Sequence, residues 1–68
     1  MRLSARNQVA GTIKKIEKGA VTSQIQIEVA AGVVITAAIT NEAVAELGLE
    51  VGSKATAVIK ASNVMVAV

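Results

Sequence analysis

From position 21 to position 29 the chain alternates without a break: Val21, Ser23, Ile25, Ile27 and Val29 hold one parity, while Thr22, Gln24, Gln26 and Glu28 hold the other. Nine residues of period two fit a strand with one apolar and one polar face, and they do not fit an amphipathic helix, whose apolar positions recur every three or four residues. A half-buried strand of this length needs neighbours to pair with and a core to lie on. The rest of the chain supplies them. After a turn at Ala31-Gly32, residues 33–39 alternate again, but Val33, Ile35, Ala37 and Ile39 face one way and Val34, Thr36, Ala38 and Thr40 the other, so both faces are apolar or small. One face can meet the domain core, and the other calls for a second cover such as another subunit.

Over residues 40–47 the period changes, because Ala43, Val44 and Leu47 recur at helical spacing. Thr40 or Asn41 can cap the start, Glu42 suits the first turn, and Gly48 suits the left-handed position past the end. One short helix is expected. Gly52-Ser53 reads as a turn before a strand at 54–60, and Ala61-Ser62-Asn63 as a second turn before a last strand at 64–68. At the front, residues 3–18 read as one long strand, with a bulge at Gly11 or at Lys14-Lys15 and a turn at Gly19. The expected fold is all-β: a small five-stranded OB-like barrel with one short helix between strands three and four. Order and count alone carry this, and an SH3-like barrel or an open sheet shares them. Residues 1–68 form a single domain.

A 68-residue chain buries only about 60% of the surface its unfolded form exposes. Small domains compensate with disulfides, metals or oligomerisation, and with no Cys and no His the first two routes are closed to the usual ligands. Hydrophobic residues make up 53% of the chain, yet there is no Phe, Tyr or Trp. More small apolar side chains are present than one tiny core can hide, so a homo-oligomer is expected. Residues 29–39 form the longest mostly apolar run, well short of the ~18–20 residues that cross a bilayer. The polar start Met1-Arg2-Leu3-Ser4-Ala5-Arg6-Asn7 does not resemble a secretory signal, so the cytoplasm is the expected location and no membrane partner is expected.

The inventory also limits chemistry. Without His, Cys, Asp or Tyr, nucleophile–base pairs of the Ser–His or Cys–His type cannot form. The five Glu residues are scattered, and solvated surface charge is the ordinary reading of each. No enzymatic role is assigned. Two segments stand apart: Ser4-Ala5-Arg6-Asn7 and Lys60-Ala61-Ser62 concentrate hydroxyls, a guanidinium, an ammonium, an amide and backbone N–H groups with no carboxylate among them. Such a set suits an anion. Taken by spacing alone, solvated chain ends would look the same.

These segments belong to a wider likeness. Ser4-Ala5-Arg6-Asn7-Gln8, Lys18-Gly19-Ala20-Val21-Thr22, Ile39-Thr40 with Leu47-Gly48-Leu49, and Ala57-Val58-Ile59-Lys60-Ala61-Ser62 resemble molbindin, of the Mop domain family. They are similar also to domains of bacterial molybdate-responsive regulators and molybdate-transporter ATPases. The resemblance spans essentially the whole chain. It implies an OB-like fold, a hexamer built as a trimer of dimers, and molybdate or tungstate held at subunit interfaces. By position it implies an oxyanion site from Ser4, Ala5, Arg6, Asn7, Lys60, Ala61 and Ser62, with Thr40 approaching from the partner chain. A second class of site would use Gly19, Ala20, Val21 and Thr22 near the threefold axis. Some relatives carry a hydroxyl residue three positions after that threonine, where this chain has Ala43, so one contact should be missing.

Molybdate and tungstate are tetrahedral dianions with no proton at neutral pH, so they call for donors only. Phosphate near pH 7 keeps a proton, and a site without carboxylates leaves it unpaired at about 1–3 kcal/mol. Sulfate must be refused by size. With no DNA-binding or ATPase segment in these residues, intracellular storage or homeostasis is expected over regulation or transport. Two other readings compete. A nucleic-acid-binding OB-fold would stack bases on aromatic rings in a basic groove, and this chain has no aromatic residue and a net charge of only +2. A purely structural oligomer needs no ligand at all.

Overall fold

The computed structural model describes residues 2–68. Its elements are β1 (Asn7–Lys18), β2 (Thr22–Ala30), β3 (Val33–Thr40), the helix α1 (Asn41–Leu47), β4 (Lys54–Ile59) and a 3-10 turn at Ala61–Asn63. The strands form one antiparallel sheet in the order β3-β2-β1-β4.

β1 is the hinge of the architecture, because it changes partner along its length. Residues from Asn7 to Thr12 pair with β4, and those from Thr12 to Lys18 pair with β2. The register slips between Ile13 and Lys15, which places the bulge at Lys14 rather than at Gly11. Gly11 is needed for another reason: a Cβ there would lie 2.5 Å from the Glu28 carbonyl oxygen and 2.7 Å from Ile27 Cγ2. Only a residue without a side chain lets β1 pass so close to β2 as it bends. The bend curls the sheet into a half-barrel, so that Ile35 and Ile39 of one edge strand line the same open trough as Ala57 and Ile59 of the other.

The alternation over 21–29 becomes the core. Ile25 and Ile27 point inward, stacked against Ile16 and Ile13 of β1 on one side and Ala37 and Ile35 of β3 on the other. Ile13, Ile25, Ile27 and Ala57 are the buried hydrophobic residues among those described, with Val44 of α1 and Leu49 packed on the cluster. Each fully buried isoleucine contributes roughly 1.5–3 kcal/mol relative to exposure. Three isoleucines and one alanine make a thin core.

The helix follows its sequence signals. Thr40 caps the N-terminus by accepting from the Ala43 N–H at 3.0 Å, and Gly48 ends it in the left-handed region at φ 63°. The fifth strand is corrected: four strands are present among the described residues, and residues 64–68 lie outside the sheet, exposed along their whole length. β-branched residues favour extended backbone, but a strand exists only where an edge accepts its hydrogen bonds, and within one chain this segment has left the edge of β4 after the 3-10 turn. The closed five-stranded barrel is thus a four-stranded half-barrel in the single chain. Residues 3–6, expected within the first strand, also precede the sheet, and β4 ends one residue short of Lys60.

Candidate functional site

The start of β1 and the end of β4 are antiparallel neighbours, so the two donor-rich segments leave the same end of the ladder although more than fifty residues separate them. Asn7 is paired with Ile59, and its Nδ2 donates to the Ile59 carbonyl oxygen at 3.2 Å. On the other side, Gln8 Nε2 donates to the Ala5 carbonyl oxygen at 2.9 Å and fixes the approach of the chain to β1. Beyond Ile59 the backbone folds at once into the 3-10 turn, closed by Asn63 N–H donating to the Lys60 carbonyl oxygen at 2.8 Å. The first N–H groups of such a turn have no partner inside it. Ser4, Arg6, Lys60, Ala61 and Ser62 are exposed, and Ala5 and Asn7 are half-buried.

Among the described residues the ion pairs are Lys14 with Glu28 at 3.8 Å and Lys15 with Glu17 at 3.4 Å, and neither Arg6 nor Lys60 takes part. Two cations, two hydroxyls and free N–H groups at one end of a sheet can hold a dianion with donors alone. Within this cluster, one N–H of the Asn7 amide is committed to joining the strands.

Thr40 does not join this cluster. It pairs with Thr22, while Ser23 pairs with Lys18, so Thr40 stands beyond the far end of β1 from Asn7. Its hydroxyl oxygen accepts from Ala43, which leaves its own O–H free to donate. The structure groups Thr40 instead with residues 19–22. Gly19 N–H donates to the Thr22 carbonyl oxygen at 2.8 Å, closing the turn between β1 and β2, and a Cβ on Gly19 would lie 2.7 Å from that oxygen.

Sequence reasoning passed over Asn41 as a functional residue. Its backbone N–H donates to the Val21 carbonyl oxygen at 2.8 Å, its Nδ2 donates to the Gly19 carbonyl oxygen at 2.9 Å, and its Oδ1 accepts from Ser23 Oγ at 2.5 Å. Ser23 is only 2% exposed. A serine on the apolar parity of a strand was the available signal, because a buried hydroxyl demands a partner.

Fold and donor grouping together define a class: a small curled-sheet module that presents hydrogen-bond donors at the ends of its strands. The TOBE domain model matches residues 3–66. A probable molybdenum-pterin-binding protein of Haemophilus influenzae is 46% identical over 68 residues, covering 100% of this chain and 99% of its own. The molybdenum transport protein ModE of Herbaspirillum seropedicae is 52% identical over 66 residues, or 97% of this chain, but this chain spans only 24% of its length. Among solved structures, MopII from Clostridium pasteurianum superposes with a TM-score of 0.92 at 40% identity, covering 98% of this chain and 100% of that one. The cytoplasmic molybdate-binding protein ModG, with molybdate bound, superposes with a TM-score of 0.91 at 55% identity, covering 96% of this chain and 46% of that one. The chain belongs to the TOBE domain family and, within it, to the molbindin type.

Proposed function

We propose that this chain binds molybdate or tungstate between copies of itself, as a non-enzymatic cytoplasmic store or buffer of the oxyanion. The observation that carries the reading is the Asn7–Ile59 rung, from which residues 4–6 and 60–62 leave the same end of the β1–β4 ladder, with Arg6 and Lys60 outside any ion pair among the described residues. Likeness to a molybdate-bound structure at 55% identity supports the choice of anion. Ser4, Arg6, Lys60, Ala61 and Ser62 are the donors on one chain, and Thr40 of a second chain completes the site. A cation-bearing cluster exposed on one face of a single chain needs a second wall to exclude water before its hydrogen bonds gain strength.

The same second chain answers a problem of packing. Val33, Val34, Val58, Val64, Met65 and Val66 are all exposed, against a core of four buried hydrophobic residues among those described. An apolar surface of this kind marks an interface, and a hexamer arranged as a trimer of dimers would cover it. None of the described helices is long and apolar enough to cross a membrane.

Titration calorimetry with sodium molybdate on the assembled protein tests the reading. Saturable binding that phosphate does not displace is the expected result, and the absence of molybdate binding contradicts it.

A further inference from the structure

We infer that Asn41 is the positioning residue of the 19–22 turn, the group that holds the Gly19 and Val21 carbonyls away from a bound oxyanion; this rests on the reading of 19–22 as a second class of molybdate site. An anion site made of main-chain donors has one intrinsic hazard, since every peptide carries a carbonyl oxygen as well as an N–H, and a carbonyl facing the anion repels it. Three of the four carbonyls in this turn are engaged. Gly19 O accepts from Asn41 Nδ2, Val21 O accepts from the Asn41 N–H, and Thr22 O accepts from the Gly19 N–H. Among the described residues, the N–H groups of Ala20 and Val21 have no backbone partner. Ala20 and Val21 are left with free donors while three of the segment's four acceptors are occupied, and Asn41 is responsible for two of those three.

Its carboxamide is itself held. Oδ1 accepts from the buried Ser23 hydroxyl, which fixes which end of the amide is the donor and aims Nδ2 at Gly19. Capping does not account for asparagine at position 41, because Thr40 already caps the helix. A side chain that accepts from Ser23 and donates to Gly19 at the same time must carry both functions, and asparagine does so at this length. Because Thr40 precedes Asn41, the same residue also ties the turn to the threonine assigned to the first class of site.

Native mass spectrometry and calorimetry on the full assembled protein, with molybdate as the probe, test the inference. Lys60→Met weakens the first class and so separates it from the second. Asn41→Asp keeps the acceptor for Ser23 but loses the donor to Gly19. It should weaken the second class by about tenfold or more while leaving Lys60-dependent ions within about twofold. Exchange of the Gly19 amide should also quicken, because the turn loosens. Should Asn41→Asp fail to assemble, Ser23→Ala, which unpins Oδ1, should weaken the second class about threefold with the first intact. A second class within about twofold of the parent in the variant that assembles, or both classes falling together, overturns the inference. A parent that binds only Lys60-dependent ions overturns this inference alone, whereas a parent that binds no molybdate overturns the proposed function as well.

Discussion

Asn7 and Ile59 face each other across the β1–β4 ladder, and the Asn7 side-chain amide donates to the Ile59 carbonyl oxygen. The backbone pairing brings two distant stretches of chain to one place, and the side-chain bond ties them at the last rung, one residue before Lys60. The relative positions of Arg6 and Lys60 therefore depend on a hydrogen bond that asparagine makes and alanine cannot. Asn7→Ala is expected to lower stability by about 0.5–1.5 kcal/mol, the ordinary worth of one hydrogen bond, and to weaken molybdate binding without changing its stoichiometry. Thermal denaturation and calorimetry on the same variant check both parts.

Lys60 is the cation at the end of that ladder. Replacing it by methionine keeps most of the aliphatic stem and removes the charge. As a solvated strand-end lysine it would change stability by less than about 0.5 kcal/mol and leave binding alone. As a ligand it should be worth about 1.5–3 kcal/mol, or roughly tenfold to a hundredfold in affinity. Calorimetry on the intact assembly distinguishes the two, and an affinity within about twofold of the parent removes Lys60 from the site.

The geometry at Gly11 makes a prediction about folding alone. An added methyl would collide with the Glu28 backbone and the Ile27 side chain, and a backbone atom cannot rotate away. Gly11→Ala should destabilise the chain by about 1–3 kcal/mol, the usual range for overpacking. At Gly32, where φ is 76° but no atom lies within 4 Å of the added Cβ, the cost should come from backbone conformation alone, about 1–2 kcal/mol. Chemical denaturation of the two variants separates collision from conformational strain, and no effect at Gly11 would mean that β1 does not bend where the structure has it.

Anion choice follows from donors without carboxylates. Molybdate and tungstate should bind with similar affinity, sulfate weakly, and phosphate more weakly than molybdate because its proton lacks an acceptor. Competition calorimetry in which phosphate equals molybdate would contradict the donors-only account.

Much of the architecture was legible because it is local. Period-two alternation located β2 and its buried parity, and Thr40 and Gly48 marked both ends of α1 by their capping chemistry. The bulge was legible only as a choice between two places, since a bulge depends on the register of a partner strand. The last strand was misread because 64–68 has the right residues but pairs with neither edge strand of its own sheet. The grouping of 4–7 with 60–62 came from resemblance, and its physical cause, the antiparallel pairing of β1 and β4, involves contacts that no local pattern displays. Asn41 stayed hidden for the same reason: its partners at Gly19, Val21 and Ser23 lie about twenty residues away in sequence.

The central claim is that the oxyanion lies between chains, and native mass spectrometry of the protein with and without molybdate tests it most directly. The account predicts an assembly of six chains that gains discrete increments of bound molybdate. A monomer near 6.9 kDa, or an assembly whose mass does not change when molybdate is added, would contradict it.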